Sequence, residues 1–142
     1  MRGIIIAAGL GSRMGDFTRT HPKCLLPIGD RTLLDRTIEN LRTVGCKQII
    51  VVTGHKAEMI DSTGIFKVCN KEYRKNNILH SLMCAREFFK GPIIATYSDI
   101  WVEPYIYREL VNTPGQIVLS VDRDWLPYYE GRTKHPLEEA EK

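Results

Sequence analysis

Short runs of apolar, mostly β-branched residues alternate with helix-like segments along this chain, and that alternation limits the possible folds most strongly. Turn-forming residues bound each run. The predicted strands are Ile4 to Ala8, Gln48 to Thr53, Ile65 to Cys69, Ile93 to Tyr97 and Gln116 to Val121. Buried strands that alternate with amphipathic helices form mainly parallel sheets covered on both faces. The sequence therefore predicts a three-layer α/β/α fold that binds its ligands at the carboxyl ends of the strands.

Three segments have the periodicity of amphipathic helices. The first covers residues 34 to 44 and ends at Gly45, a residue typical of helix C-termini. The second covers residues 78 to 89. The third begins at Pro104, a favourable first helical residue. Its inward-facing residues are predicted to be Ile106, Leu110 and Val111.

The composition fits one globular domain spanning residues 1 to 142, with 43% apolar and 26% charged residues. Lys and Arg total 20 against 17 Asp and Glu, a net charge of +3 that is too small to predict binding to nucleic acid or to a membrane surface. No apolar run approaches the ~20 residues that a membrane span needs. Four cysteines without a CxxC pair predict reduced thiols, and we expect a cytoplasmic protein.

A glycine-rich segment, Ala7 to Gly15, directly follows the first predicted strand. Its small residues would let backbone N–H groups approach a polyphosphate, and the Arg13 guanidinium would pair with phosphate oxygens. Met14 stands where a Rossmann motif needs glycine, and no P-loop Gly-Lys-Ser/Thr follows. A flexible turn is the alternative for the segment alone. Lys23, bracketed by prolines, follows at a distance that would let the chain fold back and place it beside the phosphates.

The residues from Ala8 to Met14, together with Pro22-Lys23, resemble the signature of the sugar-phosphate nucleotidyltransferase superfamily. The resemblance implies a Rossmann-like sheet of the nucleotide-diphospho-sugar transferase type and a nucleoside triphosphate in the glycine-rich loop. It also implies two catalytic residues: Arg13 would contact the outer phosphates, and Lys23 would stabilise charge at the phosphorus under attack. The implied nucleotide-binding residues of the loop are Ala7, Ala8, Gly9, Leu10, Gly11, Ser12 and Arg13.

Residues 70 to 82 resemble the branch that contains phosphocholine cytidylyltransferases and related aminoethylphosphonate enzymes, which favours CTP as the nucleotide. Asn77 and Ser81 are four residues apart at a predicted helix start, so both side chains could project toward the nucleotide. The alternative is helix capping by Asn76 or Asn77, with Ser81 on the surface.

Asp99 follows a predicted buried strand, at the sheet edge where α/β proteins hold their ligands. We expect it to bind Mg²⁺, which bridges carboxylate and phosphate oxygens; a cap or turn residue before Pro104 is the alternative. Members of the superfamily are longer and carry a second metal-binding carboxylate in a C-terminal acceptor and metal portion. We expect that portion to be missing from residues 1 to 142, which would expose apolar surface and favour homo-oligomers.

Charged and aromatic residues follow the last predicted strand. Aromatic faces and carboxylates attract a choline-like or aminoethyl cation, and Arg132 could pair with a phosphate or phosphonate. The predicted acceptor-binding residues are Asp124, Trp125, Tyr129 and Arg132. A solvated turn with its aromatic rings packed on the core is the alternative.

These residues together predict a magnesium-dependent nucleotidyltransferase. The expected reaction transfers CMP from CTP to a small phosphorylated or phosphonylated acceptor, such as phosphocholine or 2-aminoethylphosphonate, and releases pyrophosphate. A sugar-1-phosphate or molybdopterin nucleotidyltransferase is one alternative. The other is a non-catalytic nucleotide-binding module.

Overall fold

The computed structural model of the chain describes residues 1–12 and 15–131. Its strands are β1 (Arg2–Ala7), β2 (Pro27–Ile28), β3 (Arg31–Thr32), β4 (Gln48–Thr53), β5 (Phe66–Cys69) and β6 (Ile93–Tyr97). Its α-helices are α1 (Asp16–Thr20), α2 (Leu33–Thr43), α3 (Ile78–Cys84) and α4 (Pro104–Asn112). Short 3₁₀ turns lie at Lys23–Leu25, Ala57–Met59, Arg86–Phe88 and Leu126–Tyr129.

Strands β1, β4, β5 and β6 form one parallel sheet in the order β5-β4-β1-β6. Ile4 of β1 is in register with Ile50 of β4 and with Ala95 of β6. The chain fills one side of β1 with β4 and β5 and later returns to the other side with β6, so the loops that leave β1 and β6 diverge. Such a point of reversal opens a crevice at the carboxyl ends of the strands.

The sheet has a core on each face because neighbouring residues of a strand point to opposite sides. Ile5 and Val51 share one core with Leu34 and Leu41 of α2 and with Tyr107 of α4. The opposite core contains Ile4, Ile50, Val52 and Ala85, with Leu82 of α3 packed against it. Helices therefore cover both faces, which confirms the predicted three-layer α/β/α fold.

Helix α2 confirms the first predicted helix and begins with a cap that the periodicity did not reveal. The Thr32 hydroxyl accepts a hydrogen bond from the Asp35 amide, and the Asp35 carboxylate accepts one from the Thr32 amide. This reciprocal capping satisfies two amides that the first turn leaves without helical partners. Gly45 follows the helix with a φ of 92°, a conformation that favours glycine.

The predicted strand at residues 116 to 121 is wrong, because the structure has no strand there. Ile117, Leu119 and Val121 are 84%, 78% and 72% exposed. Alternating apolar residues favour a strand only where a neighbouring strand pairs with them and a core covers one face. Within the described residues, β6 pairs only with β1, so this segment adds nothing to the sheet.

The two later helices differ in detail from their predictions. Helix α3 ends at Cys84, and the Ala85 amide bonds to the Leu82 carbonyl, so the chain tightens into the 3₁₀ turn Arg86–Phe88. Helix α4 begins at Pro104 as predicted, and the predicted inward residues Ile106 and Leu110 are half-buried. The third, Val111, is 42% exposed, and Tyr107 is the buried residue of this face.

All four cysteines have free thiols, as predicted. Of the helices in the part of the chain that the structure describes, none combines the length and the apolar character needed to cross a membrane.

Candidate active site

A cleft of about 290 Å³ opens where the loops after β1 and β6 diverge. It combines the glycine-rich loop with residues from the end of β6 and from the 3₁₀ turn that carries Lys23. Its lining residues are Ile6, Ala7, Gly9, Leu10, Gly11, Ser12, Lys23, Cys24, Ile78, Tyr97, Ser98 and Asp99. Most of the loop residues predicted to bind a nucleotide therefore lie in one cleft with Lys23 and Asp99. Ala8 is 2% exposed and is not among the lining residues.

The two central glycines of the loop differ in what a side chain would contact at each position. Gly11 has a φ of 63°, and a Cβ there would lie 2.8 Å from Thr18 Cγ2 and 3.3 Å from Lys23 Cβ. The fold itself thus requires glycine at this position. A Cβ on Gly9 would meet no atom of the described protein within 4 Å, although Gly9 lines the cleft. The absence of a side chain at Gly9 therefore leaves open space in the cleft.

Lys23 and Asp99 form an ion pair in this cleft. Lys23 Nζ lies 2.7 Å from Asp99 Oδ2, and the two side chains are 28% and 38% exposed. Pro22 and Cys24 are buried on either side of Lys23, so the backbone that carries the lysine is fixed. The Ser98 amide donates to the Ile6 carbonyl at 3.1 Å, which continues the β1–β6 pairing up to the residue before Asp99. Both residues of the ion pair therefore follow or lie within well-packed backbone segments.

Cys24 forms part of the cleft wall but remains a neutral thiol. Burial raises the pKa of this thiol to about 12, and the negative charges of Asp99 and Asp35 contribute to the rise. A thiol must lose its proton to act as a nucleophile. Cys24 therefore provides packing at neutral pH and no covalent chemistry.

Asp99 is the predicted magnesium ligand, and its surroundings suit that ion. Within the described residues, no group of three or more His, Cys, Asp or Glu side chains could form a complete protein cage for a metal. Mg²⁺ commonly takes one or two carboxylates and completes its coordination with water and substrate phosphates. The carboxylate of Asp99 is 38% exposed at the cleft, which leaves it accessible to such an ion. Magnesium binding stays a prediction.

Asn77 and Ser81 both have partners within the protein. Asn77 is the N-cap of α3, and its Oδ1 accepts from the His80 amide at 3.0 Å, so the capping alternative is confirmed for this residue. Ser81 is buried, with its Oγ 2.9 Å from the donating Nδ2 of Asn70, so the alternative of a surface serine is wrong. Neither residue is among those lining the cleft. Their predicted contact with a nucleotide stays a prediction.

The predicted acceptor residues lie in and beside the 3₁₀ turn Leu126–Tyr129. The rings of Trp125 and Tyr129 meet edge to face with centroids 5.3 Å apart, and the Asp124 amide donates to Asp122 Oδ1. Asp124, Trp125 and Tyr129 are not among the cleft-lining residues. Their role in binding an acceptor stays a prediction. Arg13 and Arg132, the two predicted phosphate-binding arginines, lie outside the described residues.

Thr18 is a structural residue of the site that the sequence interpretation missed. It is 4% exposed, and its Oγ1 lies 2.8 Å from the Gly11 carbonyl and 3.2 Å from the Gly15 carbonyl. The hydroxyl therefore contacts the glycine-rich segment at both Gly11 and Gly15. The sequence carries a signal for the carbonyl of Thr18 only. Pro22 stands four residues later and has no backbone N–H to bond to that carbonyl, so the carbonyl needs a donor from elsewhere.

Comparison with known proteins identifies the family of this chain. Residues 3–140 match the model of the MobA-like NTP transferase domain. The chain belongs to this family of nucleotidyltransferases. The match covers nearly the whole chain, so the superfamily resemblance predicted from the glycine-rich loop and Lys23 is confirmed.

Similar individual proteins include several cytidylyltransferases. The CTP:phosphoglutamine cytidylyltransferase of Campylobacter jejuni is 31% identical over an alignment of 154 positions, gaps included. The alignment covers 99% of this chain and 60% of that protein. The choline-phosphate cytidylyltransferase of Haemophilus influenzae is 38% identical over 96 residues, 63% of this chain and 40% of that protein. The chain thus spans at most 60% of the length of these two relatives.

A solved structure with the same fold is that of the CTP:phosphocholine cytidylyltransferase from Streptococcus pneumoniae. It superposes with a TM-score of 0.64 at 30% sequence identity and covers 69% of this chain and 44% of that one. A nucleotidyl transferase from Methanothermobacter thermautotrophicus superposes with a TM-score of 0.63 at 26% identity, over 77% of this chain and 55% of that one. Both agree with the Rossmann-like α/β fold class.

Proposed function

We propose that this chain forms the nucleotide-binding part of a magnesium-dependent cytidylyltransferase that transfers CMP from CTP to a small phosphorylated or phosphonylated acceptor. The observation that carries the proposal is the cleft between β1 and β6, where the glycine-rich loop faces the Lys23–Asp99 pair. A polyphosphate needs backbone amides, a cation and space without side chains. Gly9, Lys23 and the β1–β6 crevice supply these features together.

In the proposed reaction, an oxygen of the acceptor phosphate or phosphonate attacks the α-phosphorus of CTP. The new phosphorus–oxygen bond forms as the bond from the α-phosphorus to the bridging oxygen breaks, and the electron pair leaves with pyrophosphate. The acceptor is already an anion, so no side chain has to remove a proton. Catalysis then consists of alignment and charge stabilisation.

Lys23 is proposed to stabilise the negative charge that develops at the α-phosphate. Its ammonium is held by the rigid turn after Pro22 and points to the sheet edge that carries Asp99. Asp99 would hold Mg²⁺, which when bound neutralises charge on the phosphate oxygens. Asp99 already pairs with Lys23 in the structure. Once the nucleotide and its cation bind, the carboxylate of Asp99 would therefore face both Mg²⁺ and the Lys23 ammonium.

The choice of CTP rests on the relatives. The proteins of Campylobacter jejuni and Haemophilus influenzae are named as cytidylyltransferases, one for phosphoglutamine and one for choline phosphate. Another relative, from Streptomyces rubellomurinus, is 30% identical over 135 residues and is named a CMP-5'-(3-aminopropyl)phosphonate synthase. All three names combine a cytidine nucleotide with a small phospho- or phosphono-compound that carries nitrogen. An acceptor of this class is therefore proposed.

The test is pyrophosphate release by the purified chain with Mg²⁺ and each of CTP, UTP, ATP, GTP and dTTP. Each nucleotide is combined with phosphocholine, 2-aminoethylphosphonate, phosphoglutamine or glucose 1-phosphate. We expect turnover with CTP and one of the nitrogen-containing acceptors, and no turnover after the substitution Asp99→Asn. Turnover only with UTP or dTTP and glucose 1-phosphate would reject the proposal in favour of a sugar-phosphate enzyme.

A second candidate is a module that binds nucleotide without turnover. Asp99 is the one carboxylate among the described cleft-lining residues, so any second carboxylate ligand for the metal would have to come from outside this cleft. This candidate predicts that CTP raises the melting temperature with Mg²⁺ present, since a ligand stabilises the state that binds it, while no pyrophosphate is released with any acceptor.

A further inference from the structure

The carbonyl of Thr18 lacks the usual helical partner four residues later. Thr18 lies in α1, and the residue four positions later, whose amide would normally bond to this carbonyl, is Pro22. Thr18 is also 4% exposed, so water has little access to it. A buried carbonyl without a donor costs free energy. The donor comes from elsewhere in the chain: His55 Nε2 lies 2.8 Å from the Thr18 carbonyl oxygen.

The same histidine also contacts the start of the glycine-rich loop. The His55 backbone amide donates to the Ala8 carbonyl at 3.3 Å. Its ring bonds to Thr18, whose hydroxyl contacts the carbonyls of Gly11 and Gly15. His55 thus connects Ala8, where the chain enters the loop, with Thr18, which contacts the loop further on.

The position of His55 is fixed by close packing behind the loop. A Cβ on Gly54 would lie 2.6 Å from the Ala8 carbonyl oxygen and 2.8 Å from Tyr73 Cβ, so only glycine permits this approach. The rings of His55 and Tyr73 lie beside each other with centroids 6.2 Å apart. Because a carbonyl oxygen only accepts hydrogen bonds, the arrangement requires the ring proton on Nε2.

We propose that His55 is a positioning residue for nucleotide binding, which holds the glycine-rich loop in its binding conformation through the ring N–H donated to Thr18. His55 is not among the cleft-lining residues, so it acts through the loop and does not contact the nucleotide. The inference rests on the proposed function to the extent that CTP is the ligand. The hydrogen bond from His55 to Thr18 is present without a ligand, so its effect on the loop can be measured in the free chain.

The decisive variants differ in whether residue 55 keeps a hydrogen-bond donor. His55→Phe keeps a ring beside Tyr73 and removes the N–H. His55→Gln replaces the ring by an amide whose NH₂ group can donate to the same carbonyl. Ile49→Val, in the core at the opposite end of β4, is the control for a general loss of stability.

Two measurements on each variant separate positioning from stability. The first is the Kd for CTP with Mg²⁺ by calorimetry, and the second is backbone hydrogen exchange of residues 9 to 12 without ligand. For His55→Phe we expect about tenfold weaker CTP binding, since an unpaired buried carbonyl favours other loop conformations, together with faster exchange in the loop. His55→Gln should recover both values to within about threefold of the wild type. Ile49→Val should change neither.

Wild-type CTP affinity in His55→Phe would overturn the proposal, and so would equal weakening by Ile49→Val or loop exchange that His55→Phe leaves unchanged. If the wild-type chain binds none of the nucleotides, the proposed function fails, and the exchange data alone decide the claim about the loop. Should His55→Phe not fold, Thr18→Val removes the hydroxyl contact with Gly11 and keeps the histidine. Under the proposal it also weakens CTP binding and speeds exchange in the loop.

Discussion

The cleft and the stretch from residue 113 to residue 131 differ in how their side chains are held. In the cleft, Lys23 and Asp99 are 76 positions apart in sequence and meet at 2.7 Å. Asp99 follows the end of β6, and the 3₁₀ turn Lys23–Leu25 holds the lysine against that edge of the sheet. In the later stretch, Asp124 bonds to Asp122 and Trp125 packs on Tyr129, while Ile117 is 84% exposed. Contacts between distant residues thus fix the proposed nucleotide site, whereas local turns order the proposed acceptor site. Substitutions in the cleft should therefore have larger effects.

The largest effect is expected for Lys23→Met. Loss of a preorganised cation at the developing charge should lower kcat by about 100-fold or more, because such a group acts mainly in the transition state. The Kd for CTP should rise by less than about tenfold. Steady-state kinetics and calorimetry measure the two values. Lys47→Met, an exposed lysine before β4, is the matched control. An unchanged kcat with weaker CTP binding would place Lys23 in ground-state binding alone.

Next in size is the contrast between the two loop glycines. Gly9→Val fills open space in the cleft and should weaken CTP binding about 30-fold, corresponding to about 2 kcal/mol of steric cost, with little change in melting temperature. Gly11→Ala should instead lower the melting temperature, because its φ of 63° and its contact with Thr18 disfavour a side chain. Calorimetry and thermal unfolding distinguish them. Wild-type CTP affinity in Gly9→Val would show that the triphosphate lies elsewhere.

A smaller effect concerns the buried thiol of the cleft. The folded-state pKa of Cys24 is raised from 9.0 to about 12, so its contribution to stability is fully present below pH 9 and is lost as the pH rises toward 12. By pH 10 this loss should be about 1.4 kcal/mol. Chemical denaturation of the wild type and of Cys24→Ala between pH 7 and pH 10 tests this. The variant should lose less stability with rising pH, and parallel pH profiles would contradict the burial argument.

The smallest effect is expected in the later stretch. Trp125→Ala should raise the KM for a cationic acceptor about threefold, the size of an exposed cation–π contact, and leave the Kd for CTP unchanged. Tyr128→Ala, at a neighbouring ring that is 67% exposed, is the matched control. A 100-fold effect of Trp125→Ala would remove the contrast between the two regions. No effect on KM would leave the aromatic pair a structural feature of its turn.

The amino-acid sequence is sufficient to predict the local features of the chain. The positions of β1, β4, β6 and α2 follow from apolar periodicity, and the loop at Gly9 and Gly11 with the proline-bracketed Lys23 identifies the family. These signals are readable because each depends on residues only a few positions apart. They were sufficient for the fold class and for most of the cleft.

Which distant residues meet depends on the packing of the whole chain. The strand order places β6 beside β1, which brings Asp99 near the segment that carries Lys23, and it places β4 on the other side of β1, which brings His55 near Thr18. Packing also decides that residues 116 to 121, although patterned like a strand, are not one. Strand propensity has an effect only when a partner edge and a core are present, and periodicity along the chain carries no information about either.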